Sequence, residues 1–429
     1  MIDIKLIREN PGLVKENIKK KFQNDKIELV DKVIKLDDEW RKEKKKVDDL
    51  RSDRNKISES INSLIKAGKK ADANKLIKEA KEIPIKISKA EIKISKLMEG
   101  ILGIMKSIPN IIHDSVPIGQ NETENVELKK VGKAKIPKYE IFNHAELATR
   151  LGGLDLESSR KTSGQGFYFL KGDIARLHSA ILSYAKDFMI KKGFSYVIPP
   201  FIIRKDVVGG VMDFSEMDDM MYKIEGEDLF LIGTSEHSMI GMFKEKTLRK
   251  AEVPQLLTSY SACFRKEKGA HGIEERGLYR VHQFEKQEMI VICDPEDSYK
   301  WYEKMLGFTV EFFKSISIPV RTLEICSGDL SDLKAKSADV EAWSPKQKKY
   351  FEVGSCSNLT DAQSRRLGIK INGGSGNYYA HTLNNTVVAS PRALIALIEN
   401  NQNKDGSISI PKVLQPYMGG LKKISFDKS

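Results

Sequence analysis

The sequence predicts an α+β protein. An N-terminal antiparallel α-helical coiled-coil arm precedes a domain with a mainly antiparallel sheet flanked by helices. Three observations carry this expectation. Before residue 110, apolar residues recur at alternating spacings of three and four over two long stretches. From about residue 140 the pattern changes to short strand-like runs interleaved with amphipathic helices. The charge is divided the same way: the 429 residues carry 72 Lys+Arg against 60 Asp+Glu, a net of +12. Residues 1–110 hold 28 basic and 19 acidic residues, so +9 of that excess lies in about a quarter of the chain.

Composition bounds the function. With 40% apolar residues the chain can bury an ordinary core. No run approaches the roughly 20 apolar residues that span a bilayer, so no membrane association is expected. The start, Met1-Ile2-Asp3-Ile4-Lys5, lacks the basic and apolar pattern of a secretory signal. Cys263, Cys293, Cys326 and Cys356 are far apart with no Cys-x-x-Cys, which argues against a disulfide scaffold and a cysteine zinc site. A reducing cytoplasm is the expected compartment.

The arm comes first. Positions 33, 36, 40, 43, 47, 50, 54, 57, 61 and 64 form a seam in which only Glu43 and Arg54 are polar. Positions 76, 80, 83, 87, 90, 94, 97, 101, 104 and 108 are all apolar. The polar stretch Ala67–Asp72 between them makes a short turn, so the two helices lie antiparallel. Pro84 falls inside the second run but off the seam, where a bend is expected. The segment from Ile2 to Phe22 is amphipathic and is expected to cap the base. Lys42, Lys44, Lys45 and Lys46, with Lys66, Lys69 and Lys70 at the tip, face away from the seam and suit phosphate contacts. A dimerisation coil with a solvated basic face stands beside that reading at this point.

The second part carries the chemistry. Ile174–Met189 reads as an amphipathic helix, followed by a strand at Gly193–Pro200 and strands near 229–232, 257–265 and 280–292. Neither a P-loop nor a Rossmann glycine fingerprint is present. Three polar groups stand out. Arg265 and Glu267 are two apart, as are Phe284, Lys286 and Glu288, and extended strands would put each set on one face. Such a face can pair an anion, accept an amine and stack a base; a surface sheet with cross-strand ion pairs is the plainer alternative. Ser390-Pro391-Arg392 reads as an N-cap, a first helical position and a cation in the first turn. That cation opposes the helix dipole, so either a bound phosphate or a core carboxylate must compensate. Finally, Gly233-Thr234-Ser235-Glu236 and Phe351–Ser357 cluster polar groups, with Glu352 and Ser355 suited as oxygen ligands for Mg²⁺.

Together these features resemble seryl-tRNA synthetase, a family of class II aminoacyl-tRNA synthetases. Gly193–Pro200 resembles the end of motif 1, Phe264-Arg265-Lys266-Glu267 through Glu288 resembles motif 2, and Thr382-Leu383-Asn384-Asn385-Thr386 through Arg392 to Gln402 resembles motif 3. The resemblance covers nearly the whole chain. It implies residues 1–112 as a tRNA-binding domain with an arm at about 27–108, and residues 113–429 as a class II catalytic domain. It implies serine contacts from Thr234, Ser235, Glu236, Arg265, Glu288, Asn384 and Thr386. ATP contacts are implied for Arg265, Lys266, Glu267, Val281, Phe284, Glu352, Val353, Gly354, Ser355 and Arg392, with Mg²⁺ held through Glu352 and Ser355. Arg265 and Arg392 are the implied catalytic cations: Arg265 bridges the serine carboxylate and the α-phosphate, and Arg392 holds the γ-phosphate. Lys42, Lys45, Lys46, Lys66, Lys69 and Lys70 are the implied tRNA contacts on the long variable arm of tRNA(Ser), with tRNA(Sec) as a further substrate. A homodimer through motif 1 and a zinc-free serine site follow in the same way. Arg160–Gly166 and the loop from Lys268 to Tyr279 receive no role. The rival readings are a non-enzymatic RNA-binding coiled-coil protein, a carrier-protein aminoacylating relative, and a class II enzyme for another amino acid.

Overall fold

The computed structural model describes residues 1–212, 217, 219–267 and 277–426. Residues 268–276 of the unassigned loop lie outside this set. The chain divides into two compact units, one of residues 2–19 and 23–109, the other of Met1, 20–22 and 110–429.

The first unit is dominated by two long helices, α3 (Ile27–Lys66) and α4 (Lys70–Met105), preceded by α1 (Ile4–Glu9) and α2 (Pro11–Lys20). At 1.5 Å per residue, the 40-residue α3 spans about 60 Å. The turn is three residues, Ala67–Lys69, shorter than the six anticipated, because Lys70 already begins α4. Helix α4 runs through Pro84 without interruption. Every apolar seam position is buried or half-buried, and Val47, Ile83, Ile87 and Ala90 form a continuous cluster. Of the two polar exceptions, Arg54 is exposed, whereas Glu43 reaches across the hairpin to Lys93 at 2.8 Å. The amphipathic N-terminal segment does dock on α3: Arg8 donates to Asp37 at 2.6 Å, and Asp37 is 2% exposed. That hydrogen bond and charge outweigh burial and raise the guanidinium's pKa.

The second unit centres on an eight-stranded sheet. Its strands are β1 (Val126–Val131), β2 (Ser195–Val197), β3 (Gln255–Phe264), β4 (Gln283–Cys293), β5 (Val320–Glu324), β6 (Lys336–Ser344), β7 (Lys349–Asn358) and β8 (His381–Ala389). The spatial order is β1-β5-β6-β7-β8-β4-β3-β2. All pairings are antiparallel except β2 on β3. Helices α5 (Gly172–Lys191), α6 (Ser235–Gly241), α7 (Ser298–Ser315) and α8 (Ser390–Asn400) complete the frame.

Strand β4 shows how the sheet divides its two faces. Met289, Val291 and Cys293 pack into the main core with Leu177 and Ile181 of α5, Tyr302 and Phe312 of α7, and Leu394 and Ile398 of α8. On the other face, Ile290 and Ile292 join a second core with Met239 and Ile240 of α6. Phe284, Lys286 and Glu288, on that same face but nearer the strand's start, line an open cavity instead.

Candidate active site

The cavity holds about 450 Å³ and is walled by β4, β7, β8, the start of α6 and the start of α8. Fourteen of the sixteen residues with implied serine or ATP contacts share its lining, the two implied catalytic cations among them: twelve are Thr234, Glu236, Arg265, Glu267, Val281, Phe284, Glu288, Val353, Gly354, Ser355, Thr386 and Arg392. Asn384 and Glu352 line it too. Ser235 and Lys266 are not part of the lining. The Ser235 hydroxyl is fully buried and accepts from Ser259 Oγ at 2.6 Å, so it ties the start of α6 to β3. Lys266 contributes its backbone N–H to the Met220 carbonyl at 3.0 Å.

Local geometry explains how these side chains meet. Thr234 caps α6, its hydroxyl accepting from the Glu236 N–H at 3.4 Å. Glu352 and Ser355 are three apart, which in a regular strand would put them on opposite faces. Across β6 and β7, however, Val340 pairs with Gly354 while Glu341 pairs with Glu352. Val353 is thus an extra, bulged residue, and the bulge turns both side chains to the cavity. Gly354 sits where a Cβ would meet the Thr386 carbonyl oxygen at 3.0 Å, so β7 and β8 can approach closely there. A second irregularity, between Thr386 and Val388 against β4, leaves Thr386 opposite Glu288.

Arg265 and Glu267 also reach the cavity, but not by strand alternation. Strand β3 ends at Phe264, and Glu267 has a left-handed φ of 46°. Strand β4 likewise begins at Gln283 rather than at Arg280. The Arg265 backbone is instead clasped by His282: its N–H donates to the His282 carbonyl and its carbonyl oxygen lies near His282 Nδ1, both at 2.9 Å. Its guanidinium donates to the Gly233 carbonyl at 3.1 Å and lies 5.3 Å from the centre of the Phe284 ring. This clasp gives Gly166, the last residue of the Arg160–Gly166 segment, a structural role. The Gly166 carbonyl accepts from the His282 N–H at 2.8 Å, Phe167 stacks on the imidazole, and Gly166 has φ 82°. A Cβ at Gly166 would lie 2.4 Å from the His282 ring.

The electrostatics divide the cavity into two ends. At one end Arg392 donates to Glu352 Oε2 at 2.7 Å and its guanidinium lies 4.8 Å from the Tyr279 ring centre. The cation in the first turn of α8 is therefore compensated by a carboxylate. Helix α8 starts at Ser390, one residue earlier than anticipated. Burial pushes the Glu352 carboxyl up, but the charge and hydrogen bond of Arg392 prevail and hold it below the ordinary carboxylate value. With 43% of its side chain exposed, solvent moderates both influences. Asp339, across from Ser355 in register, is pushed up by burial and by the negative charge of Glu352. Arg280 pairs with Glu267 at 3.1 Å.

At the other end Glu288, 2% exposed, accepts from the Thr386 hydroxyl at 2.9 Å and pairs with Lys286. Glu236 accepts from Gln363 at 2.7 Å. Burial, reinforced by the charge of Glu288 and opposed by Gln363, pushes the Glu236 carboxyl up to about 7. His237 is 4% exposed, and burial with the charges of Arg265 and Lys286 lowers its imidazole to about 3, so the ring is neutral. Among the described residues its Nδ1 has no hydrogen-bond partner. Sequence patterning missed His237, Tyr279, Arg280, Lys334 and Asp339, all of which line the cavity. Only Tyr279 and Arg280 had a local signal, an aromatic and a cation leading into β4.

In a cavity on a mainly antiparallel sheet, one arginine over an aromatic ring and a second at a helix start form the arrangement that motifs 2 and 3 imply for a class II aminoacyl-tRNA synthetase. Residues 221–401 match the family model for the tRNA synthetase class II core domain (G, H, P, S and T), and residues 1–112 match that for the seryl-tRNA synthetase N-terminal domain. A serine–tRNA ligase from Methanocella arvoryzae is 42% identical over 98% of this chain and 100% of its own length. One from Thermococcus sibiricus is 41% identical over 100% of this chain and 98% of its own. The crystal structure of seryl-tRNA synthetase from Pyrococcus horikoshii complexed with ATP covers 100% of both chains at a TM-score of 0.94 and 40% identity. The cytoplasmic serine–tRNA ligase of Naegleria fowleri in complex with AMP superposes with a TM-score of 0.89 at 36% identity, over 100% of this chain and 99% of its own. The chain belongs to the seryl-tRNA synthetase family, the ATP-using enzymes that act as serine–tRNA ligases.

Proposed function

We propose that the cavity activates L-serine with ATP and passes the seryl group to the 3′ end of tRNA(Ser), with tRNA(Sec) as the further substrate that the resemblance implies. The observation that carries this reading is the meeting, in one cavity, of a phosphate end around Arg265 and Arg392 and a buried hydroxyl-and-carboxylate end around Glu288 and Thr386. In the first step the serine carboxylate attacks the α-phosphorus and pyrophosphate leaves, so no protein nucleophile is required. Arg265 neutralises the carboxylate and α-phosphate, and Arg392 the γ-phosphate, which is positioning and charge stabilisation. Arg392 then exchanges its Glu352 contact for phosphate. Phe284 stacks on adenine, Glu267 reads its amino group, and Lys266, Val281, Val353 and Gly354 border the nucleotide. Glu352 and Ser355, brought to one wall by the bulge, offer the hard oxygen donors that suit Mg²⁺, which when bound neutralises phosphate charge. Thr234, Glu236 and Glu288 receive the serine ammonium, with Ser235 bracing them from behind. Asn384 and Thr386 receive the hydroxyl. An unpaired buried partner would penalise alanine by about 10⁴ or more. These hydroxyl and carboxylate groups support a zinc-free serine site.

Residues 1–112 are read as the tRNA-binding domain and 113–429 as the catalytic domain. Lys42, Lys45, Lys46, Lys66, Lys69 and Lys70 are all exposed along α3 and at the tip, which supports a phosphate-gripping arm. Large apolar side chains stand exposed around β2: Ile198 at 72%, with Ile190, Tyr196 and Ile202. This supports a homodimer through that segment. No helix among the described residues is long and apolar enough to cross a membrane; we read the enzyme as cytoplasmic. The test is ATP–pyrophosphate exchange with serine, alanine, threonine and glycine. Exchange with serine alone is expected, and exchange with another amino acid but not serine overturns the reading.

A further inference from the structure

One cation of the cavity has neither a role in this reading nor a carboxylate partner. Five cations line it: Arg265, Arg280, Lys286, Lys334 and Arg392. Three are held by carboxylates, Arg280 by Glu267, Lys286 by Glu288 and Arg392 by Glu352. Among the described residues, Arg265 and Lys334 have no carboxylate oxygen within 4.0 Å. Arg265 already has a phosphate role; Lys334 has none.

Its setting is not that of a solvated surface lysine. Lys334 is half-buried, and among the described residues its Nζ has one close polar neighbour, the Ser337 hydroxyl at 3.5 Å. Its backbone is fixed by turn and sheet bonds: its own N–H donates to the Ser331 carbonyl at 3.1 Å, and the next N–H, of Ala335, to Asn358 at 2.8 Å. A flexible four-carbon stem thus projects from a rigid wall. Glu236, Asp339 and Glu352 all feel its charge, so it influences both ends of the cavity. Two of those carboxylates are engaged elsewhere, Glu236 by Gln363 and Glu352 by Arg392. Withdrawing an ammonium from water costs free energy unless a partner compensates. A cation without one, beside carboxylates bound to other groups, is set to meet an anion that arrives from solvent.

We propose that Lys334 contacts a phosphate of the reacting substrates, its ammonium donating to non-bridging phosphate oxygens. The proposal rests on reading the cavity as the site of serine activation. Two phosphates have the required chemistry, the polyphosphate of ATP with its departing pyrophosphate and the terminal phosphodiester of the tRNA. A triphosphate carries more negative charge than two guanidiniums neutralise, particularly when one of them also serves Glu352.

The test compares wild type, Lys334→Met and Lys334→Arg in two assays. One is serine-dependent ATP–pyrophosphate exchange; the other is single-turnover transfer from preformed seryl-adenylate to tRNA across a salt series. K334M is expected to lose about tenfold or more in one step, the scale of a charge-assisted hydrogen bond. K334R is expected to recover most of it, which a merely space-filling role would not produce. A raised KM for ATP and pyrophosphate assigns the ATP phosphates. A loss confined to transfer, with raised KM for tRNA and a shallower salt dependence, assigns the tRNA phosphate. K334M within twofold of wild type in both assays overturns the proposal, as does a deficit that K334R shares in full. Wild-type enzyme without serine-dependent exchange would instead overturn the underlying reading of function.

Discussion

The arm and the cavity use charge in opposite ways. Along α3 and at the arm's tip, Lys42, Lys45, Lys66, Lys69 and Lys70 stand in solvent above a thin apolar seam. In the cavity, Arg280, Lys286 and Arg392 each hold a carboxylate, several of the groups are almost fully buried, and titration is displaced where burial dominates. Each region is therefore suited to a different kind of recognition. Solvated lysines at helical spacing supply attraction that salt screens and that tolerates small displacements. A cavity of paired, desolvated charges must exchange one partner for another, so its geometry decides what enters.

The sharpest way to break this comparison is to remove one side of it. Deleting residues 35–105 should leave serine-dependent exchange near wild type while charging of tRNA falls below detection. A folded deletion variant without either activity would show that the two regions do not divide the work. Next in size is Arg392→Ala, expected to slow exchange by about 10²–10³, the usual effect of removing one preorganised charge contact at a transition state. It also leaves Glu352 unpaired, so exchange and the melting temperature should be measured together. A rate loss with an unchanged melting temperature locates the effect in the chemistry.

A smaller effect is expected at a residue that touches no substrate. Gly166→Ala would drive a methyl group into the His282 ring and impose a left-handed φ on an alanine. We expect a cost of about 1–3 kcal/mol, visible as a lower melting temperature and, through the clasp on Arg265, a raised KM for ATP. A stability loss with no change in KM would show that His282 does not transmit to Arg265.

These outcomes bear on what was legible in the sequence. The arm was legible nearly residue by residue because a seam is a local, periodic property; of its two polar departures, Glu43 is answered by Lys93 across the hairpin and Arg54 stays exposed. Phe284, Lys286 and Glu288 were legible for the same reason, lying in a regular strand. Arg265 and Glu267 reach the same cavity through an irregular clasp beyond the strand end, which alternation does not describe. Glu352 and Ser355 were singled out by their chemistry, yet it is the bulge at Val353 that turns them to one side, and no local pattern announces a bulge. For Arg392 the dipole argument demanded compensation and left phosphate and carboxylate open; the carboxylate is a strand distant in sequence. Lys334, Asp339 and His237 had no local signal, since only the pairing of β6 within the sheet, with the turn before it, and the packing of α6 bring them to the cavity.

The mildest prediction asks whether burial in the cavity is felt by the substrate. Free enzyme holds the Glu236 carboxyl near a pKa of about 7, chiefly through burial. Below that value the group is protonated and neutral; above it, it is a carboxylate able to receive an ammonium. Serine binding through the carboxylate therefore strengthens as pH rises through 7 and weakens as it falls. KM for serine should climb several-fold between pH 8 and pH 6, approaching tenfold per unit on the acid side. Glu236→Gln should flatten the profile, because the amide cannot titrate, while raising KM at pH 8. The arm offers the control: Glu236 takes no part in it, so KM for tRNA should hardly move. If KM for serine is flat in wild type from pH 6 to 8, the carboxylate at Glu236 either is not desolvated in solution or does not meet the amino acid, and the contrast between a buried cavity and a solvated arm loses its functional meaning at that end of the site.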